Sequence, residues 1–181
     1  MLRIITGKYK GRRLTVPPKL TRPLTDRVRT TVFDLIRDFL PDATVLDLYA
    51  GSGVFGFEAL SRGAESVDLV DGSKQAVKII EENARTLEVQ DQISVYPWKV
   101  SDFLKKNEIH YDIIFVDPPF PEPTAEKLEV ARHALKLLET EGILILRLDS
   151  KGQPGLEQSG LAAVYEKKIG KSTVYFFRKP D

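Results

Sequence analysis

The chain has 181 residues and a formal net charge of +1, and 42% of its residues are hydrophobic, which suits one domain with a buried core and a small extension. It has no cysteine, which excludes disulfides, cysteine-ligated zinc and cysteine nucleophiles. It also lacks an apolar run of about 20 residues and the apolar core of a secretory signal, so we expect a cytoplasmic protein that does not enter a membrane.

Basic residues are concentrated at the N-terminus. The first 29 residues carry a charge of about +8 and contain one acid, Asp26, whereas the remainder carries about −7. This asymmetry is typical of an arm that binds a polyanion, although a solvated basic tail has the same composition. The basic residues of the segment are Arg3, Lys8, Lys10, Arg12, Arg13, Lys19, Arg22, Arg27 and Arg29.

The N-terminal segment predicts a β-hairpin followed by a helix. Two short β-like runs, LRIITG and RRLTVP, flank the turn KYKG, and a proline-rich connector follows them. Thr25 is placed to cap a helix, which the pattern ends at Pro41. The apolar residues that recur at helical spacing are Val28, Val32, Leu35, Ile36 and Phe39. We therefore divide the chain into an extension, residues 1–24, and a main domain, residues 25–181.

Strands and helices alternate from Thr44 onwards. The runs that predict strands are TVLDLYA, SVDLVD, QISVYPW, YDIIFVD and GILILRL, with helical segments between them. This alternation predicts an α/β fold of the Rossmann-like kind, with a parallel sheet covered by helices on both faces. The last segment, AAVYEKKIGKSTVYFFRK, instead predicts two strands joined by a turn. A terminal hairpin of this kind is not part of the simple dinucleotide-binding pattern.

A glycine-rich loop follows the first of these strands. Gly51, Gly53 and Gly56 have G-x-G-x-x-G spacing, and Asp71 lies 20 residues beyond Gly51 at the end of the next strand. Glycines let backbone N–H groups approach a ligand, and an acid at this distance can accept the hydroxyls of a ribose, so the pattern predicts an adenosine-containing cofactor. Asp47 favours S-adenosylmethionine over a dinucleotide, because a carboxylate suits an ammonium but repels a pyrophosphate.

The tetrapeptide Asp117-Pro118-Pro119-Phe120 ends the fourth strand, which we expect beside the first, where such sheets bind ligands. An exocyclic amine is a poor nucleophile because its lone pair is delocalised into the ring, and acceptors for its N–H groups would localise that pair. The Asp117 carboxylate and the Pro118 carbonyl are candidate acceptors, the prolines stiffen the backbone, and Phe120 can stack on a base. A plain strand stop is the alternative.

Five segments resemble, in order and spacing, the RsmD-type family of class I S-adenosylmethionine-dependent methyltransferases: RIITGKYKGRRL, RPLTDRVRTTVFDLI, LDLYAGSGVFGFEALSRGA, DPPF and KKIGKSTVYFFRK. The resemblance covers nearly the whole chain. Members of this family are bacterial 16S ribosomal RNA guanine-N2 methyltransferases. The resemblance implies a seven-stranded, mostly parallel sheet with an antiparallel last strand and a small N-terminal hairpin that helps to bind RNA. It also implies S-adenosylmethionine as cofactor and an assembled or partly assembled small ribosomal subunit as partner.

By position, the resemblance places the catalytic loop at Asp117, Pro118, Pro119 and Phe120. The residues expected to bind the cofactor are Asp47, Tyr49, Gly51, Ser52, Gly53, Asp71, Gly72 and Val100. The family commonly has glutamate in place of Asp71, and aspartate or asparagine in place of Lys99, where that residue contacts adenine. Lysine cannot accept a hydrogen bond from the adenine amine, so backbone groups near Val100 or the Asp102 side chain are expected to substitute.

The basic arm supplies the residues expected to bind RNA, which are Lys8, Lys10, Arg12, Arg13, Arg22 and Arg27. The first four suit phosphate contacts, which position RNA without reading its sequence. Arg22 and Arg27 are expected nearer the reacting base, although a surface ion pair with Asp26 or Asp34 is an alternative role for Arg27. The two histidines do not have metal-binding spacing, so we expect no metal site, and we expect a monomer.

Three alternative functions stay open. Another amine methyltransferase, acting on adenine N6 of DNA or RNA or on a protein glutamine, would use the same tetrapeptide. A non-catalytic RNA-binding factor in ribosome assembly would keep the fold without the activity. A dinucleotide-dependent oxidoreductase would share the glycine loop.

Overall fold

The structure, a computed structural model, describes residues 2–17, 25–119, 123–149, 156 and 159–179. The predicted site residues Arg22 and Phe120 therefore lie outside the described residues. The proposed boundary between residues 24 and 25 lies at the edge of a segment that is likewise not described, so it stays a prediction.

The predicted N-terminal hairpin is confirmed. Strand β1 (Leu2–Arg3) pairs antiparallel with β2 (Arg13–Leu14). Its apolar side chains are buried in the same hydrophobic cluster as the main sheet. The hairpin is also held by Glu58, whose carboxylate accepts hydrogen bonds from the backbone N–H groups of Ile5 and Thr6 at 2.8 and 3.1 Å. The extension is thus packed against the main domain.

Helix α1 (Asp26–Leu35) begins as predicted, because the Thr25 hydroxyl accepts a hydrogen bond from the Val28 N–H. It ends earlier than predicted: a 3-10 turn (Arg37–Phe39) occupies the stretch before Pro41. Leu35 is 42% exposed. The buried stripe follows a four-residue spacing, which leaves Leu35 off the face that packs on the core.

The main sheet has seven strands, as predicted. They are β3 (Thr44–Leu48), β4 (Ser66–Val70), β5 (Ile93–Tyr96), β6 (Tyr111–Val116), β7 (Leu138–Asp149), β8 (Tyr165–Ile169) and β9 (Ser172–Phe177). Their order across the sheet is β5-β4-β3-β6-β7-β9-β8. Strands β3 to β7 pair in parallel, whereas β9 is antiparallel to both of its neighbours. The reversed last strand is therefore confirmed.

Helices cover both faces of this sheet. They are α2 (Val54–Ser61), α3 (Lys74–Leu87), α4 (Val100–Lys106) and α5 (Thr124–Leu135). One buried cluster joins α1, α2 and α3 to the sheet, and a second joins α4 and α5 to the other face. Burial on both faces explains why the central strands are apolar runs rather than alternating patterns. No helix among the described residues is long and apolar enough to cross a membrane.

Strand β3 lies between β4 and β6, so the chain order reverses beside it. In open α/β sheets the carboxyl ends of the strands form a ligand-binding crevice at this switch point. The glycine loop after β3, Asp71 after β4 and Asp117 after β6 all meet at this end of the sheet, which is called the carboxyl edge below.

Candidate active site

The loop between β3 and α2 has a left-handed backbone at three positions. Tyr49, Gly51 and Gly53 have φ of 64°, 58° and 76°. Glycine adopts this conformation without steric cost, but at Tyr49 it is strained, and such strain clusters at functional sites. The left-handed conformation of Tyr49 thus supports the prediction that this residue belongs to the site.

Gly56, the third glycine of the loop, lies at the contact between α2 and the sheet. A Cβ atom at this position would lie 2.8 Å from Val67 Cγ1 and 2.9 Å from Leu69 Cδ2, too close for a side chain. The glycine thus lets the start of α2 approach β4, which is the role of the third glycine in cofactor loops of this spacing.

Asp71 ties the glycine loop to the end of β4. Its Oδ2 accepts a hydrogen bond from the Gly51 N–H at 2.9 Å, and its Oδ1 accepts one from the Ser73 N–H at 2.8 Å. A carboxylate oxygen has two acceptor positions, so each oxygen keeps one for a ribose hydroxyl.

Asp47 is a buried acid beneath the loop, with 1% of its surface exposed. Its Oδ2 accepts a hydrogen bond from the Gly56 N–H at 3.2 Å. Burial raises the pKa of Asp47 to about 8; the Gly56 hydrogen bond opposes this shift, while the charges of Asp117 and Asp71 add to it. Asp117 and Asp71 thus add negative charge around a buried acid, and a ligand that brings a positive charge, as the ammonium of S-adenosylmethionine does, would offset it.

A cavity of about 590 Å³ opens at the carboxyl edge. It brings together four predicted cofactor residues, which are Tyr49, Asp71, Gly72 and Val100. Asp47, Gly51, Ser52 and Gly53 lie outside its lining, and of these Asp47, Ser52 and Gly53 are buried. Lys99 also lines it, and its Cα and Cγ lie 3.6 and 3.7 Å from where a Cβ of Gly72 would be, which is ordinary van der Waals contact.

Helix α5 contributes a wall of the cavity that sequence reasoning missed. The residues concerned are Glu126, Glu129, Val130 and His133. Their spacing places them on one helical face, which is the signal that the sequence contained. The pattern could not show that this face, which is mostly polar, looks into the cavity rather than into solvent.

Asp117 follows β6 and forms an ion pair with Arg147 of β7. Arg147 Nε donates to Asp117 Oδ1 at 2.6 Å, and Nη2 donates to Oδ2 at 3.0 Å. Burial raises the pKa of Asp117, while Arg147 and then Lys127 of α5 act to lower it. Neither cation was identified from the sequence, because strand register and a helix face place them beside Asp117.

The structure describes the predicted catalytic loop as far as Pro119. Pro118 is buried and Pro119 is exposed. Phe115 anchors the strand that leads into them, since its ring centroid lies 4.8 Å from that of the stacked Phe55 and 5.5 Å from that of the tilted Phe33. Asp117 therefore follows a strand that is packed into the core.

The four basic hairpin residues are exposed, but their turn lies away from the carboxyl edge. The Lys8 N–H donates to the carbonyl of Ser61, the last residue of α2, at 2.7 Å. The Arg12 guanidinium donates to the carbonyl of Thr86 near the end of α3. Both helices begin at the carboxyl edge, so the hairpin turn lies at their far ends.

Arg27 is exposed in the first turn of α1. The acids considered as its partners bind other residues: Asp26 pairs with Arg29 at 2.6 Å, and Asp34 approaches Arg62 at 3.7 Å. Across the described parts of the chain, no group of three or more metal-binding side chains converges.

A family model described as Conserved hypothetical protein 95 matches residues 2–178. The chain is 32% identical to the putative rRNA methyltransferase YlbH of Bacillus subtilis (strain 168) over 182 residues, 98% of this chain and 99% of the relative. It is 37% identical to Ribosomal RNA small subunit methyltransferase D of Escherichia coli (strain K12) over 161 residues, 86% and 77% of the two chains. The solved structure of putative methyltransferase yhhF from Escherichia coli matches with a TM-score of 0.84 at 31% identity, covering 98% and 97%.

Proposed function

Because the chain belongs to the RsmD-type family of ribosomal RNA methyltransferases, we propose that it methylates the exocyclic N2 amine of a guanine in 16S, small-subunit ribosomal RNA. The methyl donor is S-adenosylmethionine. The observation that carries the choice of an amine is the position of Asp117 and Pro118 at the carboxyl edge, next to the glycine loop.

The cofactor residues have distinct roles. Asp71 accepts the ribose hydroxyls with its remaining acceptor positions, and Asp47 pairs with the ammonium of the methionine moiety. Tyr49, Gly72 and Val100 line the cavity at the adenosine end. When bound, S-adenosylmethionine supplies an activated methyl group on a sulfonium sulfur. The protein then has to present an amine to that group and keep it in place.

Asp117 and Pro118 present the amine. The Asp117 carboxylate accepts one N–H of the amine, and the Pro118 carbonyl accepts the other. This draws the nitrogen lone pair out of the ring and aims it at the methyl group, so that catalysis comes from positioning and electrostatics. In this proposal Phe120 stacks on the base. The guanine leaves its stack to enter the site, as enzymes acting on bases generally require.

The hairpin residues contact RNA phosphates at a distance from the reacting base. Helix α2 has 8 residues, so the hairpin turn at its end lies about 12 Å along the helix from the glycine loop. Lys8, Lys10, Arg12 and Arg13 thus suit the RNA that flanks the target, whereas Arg27 in the first turn of α1 is separate from them. A partly or fully assembled small subunit, bound by a protein monomer, is the proposed substrate.

Replacing Asp117 tests this mechanism. Asp117→Ala is expected to lower methyl transfer to RNA by about 10²-fold or more, because a preorganised charged acceptor is lost. S-adenosylmethionine binding, measured by calorimetry, should persist. Asp112→Asn is a matched control: Asp112 lies at the other end of β6, where its carboxylate accepts hydrogen bonds from Thr44. Turnover near the wild-type rate in Asp117→Ala would refute the proposed role.

A further inference from the structure

The Arg147 guanidinium holds both oxygens of the Asp117 carboxylate in two parallel hydrogen bonds of 2.6 and 3.0 Å. Strand register explains the contact, since Val116 lies opposite Leu146 and the next residues along the two parallel strands are Asp117 and Arg147. Arg147 Nη1 also donates to the Ser172 hydroxyl on β9 at 3.4 Å. The guanidinium is thus fixed from β9 while it binds the acid that follows β6.

The pair lies in a site with several other charges. The Arg147 and Asp117 side chains are 12% and 17% exposed, so both are largely removed from water. Lys127 of α5 is a second cation that lowers the pKa of Asp117. The negative charge of Asp117 in turn raises the pKa of Asp47, as does that of Asp71. Burial raises the pKa of Asp117, and Arg147 is the largest influence in the opposite direction. A carboxyl group in this place without the guanidinium would be neutral up to a higher pH.

We propose that Arg147 is a positioning residue for methyl transfer, because its two-pronged contact keeps the Asp117 carboxylate ionised and in one orientation for the target amine. This inference rests on the proposed amine methylation. Planar, charge-assisted hydrogen bonds of this kind add directional specificity as well as energy. An ionised carboxylate accepts hydrogen bonds only, whereas a protonated one would offer the amine a donor.

The contact also affects how Asp117 interacts with the amine and with the proton that the amine loses. The two carboxylate oxygens have about four acceptor positions, of which Arg147 takes two, so two remain for the amine. The guanidinium lowers the basicity of the carboxylate, whereas burial raises its pKa above the ordinary aspartate value. During transfer the amine gains a bond to the methyl carbon, the electron pair of the broken carbon–sulfur bond stays on sulfur, and the amine loses one proton. That proton passes to water, either directly or through Asp117.

The test compares two substitutions of Arg147 in the full chain, with kcat measured against pH at saturating RNA and S-adenosylmethionine. Arg147→Met removes both charge and geometry, so the acid limb of kcat should move to higher pH. On the acid limb the loss of kcat should be about tenfold for each pKa unit by which the limb moves, and it should shrink at pH values above the limb. Arg147→Lys keeps the positive charge but loses the planar pair of donors. It should therefore shift the acid limb of kcat less than Arg147→Met does, while still lowering the maximal kcat.

Arg178→Met is the matched control, since Arg178 follows β9 and donates to the backbone carbonyls of Glu141 and Gly142 away from Asp117. It should leave the pH profile unchanged. The calorimetric affinity for S-adenosylmethionine should stay within about threefold in all variants. Thermal unfolding shows whether Arg147→Met folds. If it does not, the test rests on Arg147→Lys, for which we expect a lower maximal kcat and a smaller shift of the acid limb.

Three outcomes would overturn the inference. One is an acid limb of the kcat profile that stays at the same pH in Arg147→Met. Another is a loss of kcat in Arg147→Met that has the same size at every pH, together with a wild-type profile in Arg147→Lys. A third is faster turnover in Arg147→Met, which would mean that the guanidinium blocks Asp117. Failure of the proposed function looks different, because the wild-type protein itself would then transfer no methyl group to guanine.

Discussion

Binding of S-adenosylmethionine should release a proton from Asp47. The acid is 1% exposed and its pKa is raised to about 8, chiefly by burial. About nine in ten molecules of the cofactor-free protein therefore carry a proton on Asp47 at pH 7, and about half carry one at pH 8. When the ligand ammonium arrives, the ionised form becomes the stable one. The expected release is about 0.9 proton per cofactor at pH 7 and about 0.5 at pH 8.

Calorimetry in buffers of different ionisation enthalpy measures this release. The apparent affinity should also rise almost tenfold per pH unit between about pH 5 and 7, because one proton competes with the ligand. Asp47→Asn should abolish both the release and the pH dependence, and it should bind more weakly. Asp112→Asn, at the opposite edge of the sheet, should behave as wild type. A wild-type protein that releases no proton at pH 7, or an Asp47→Asn variant that releases as many, would refute this account of the site.

The Asp47 carboxyl group also affects the stability of the cofactor-free protein. Its folded-state pKa of about 8 lies above the value of 3.8 expected for an unperturbed aspartate. Between these values the folded protein binds a proton that the unfolded chain does not, so the contribution of Asp47 to stability falls as pH rises from about 4 to 8. Saturating cofactor should remove this trend, because it holds Asp47 ionised.

Two further predictions concern the hairpin. Replacing Lys10, Arg12 and Arg13 by Gln should make the plot of log RNA affinity against log salt concentration less steep by about 2 to 3, because each lost phosphate contact removes about 0.7 to 0.9 from the steepness. Filter-binding titrations measure this slope, and an unchanged slope would exclude these residues from the RNA interface. Glu58→Gln should cost about 3 to 5 kcal/mol in urea unfolding, because it removes the buried charge partner of Arg29 and Arg62 and leaves them only the more exposed Asp26 and Asp34. The exposed Glu82→Gln should cost less than about 1 kcal/mol. Equal costs would contradict the anchoring role of Glu58.

The parallel sheet and the glycine loop were readable because their determinants are local. Alternation of strands and helices leaves few possible topologies. The G-x-G-x-x-G spacing predicts a ligand-binding loop directly after β3, and Asp71, which bonds to the Gly51 N–H, lies 20 residues beyond Gly51. The hairpin was readable for the same reason. Its attachment was not, because Glu58 reaches the backbone of Ile5 across 53 residues of sequence. In the sequence Glu58 is simply one acid in an apolar helix.

The contacts around Asp117 show why the rest could not be predicted. Asp117 and Arg147 are 30 residues apart, and they meet because of the register between β6 and β7. A shift of one residue would turn Arg147 to the other face of the sheet. Composition and motif spacing contain no information on that register. The same holds for the α5 face that lines the cavity, which has the polar composition of a solvent-exposed stripe.

The measurement that tests the central claim most directly is nucleoside analysis of small-subunit RNA after incubation with this protein and isotopically labelled S-adenosylmethionine. The substrate should be small subunits lacking the modification. The account predicts label in N2-methylguanosine at one position, with none when Asp117→Ala replaces the wild type. Label in N6-methyladenosine, label in protein, or no label from a protein that binds the cofactor would contradict it.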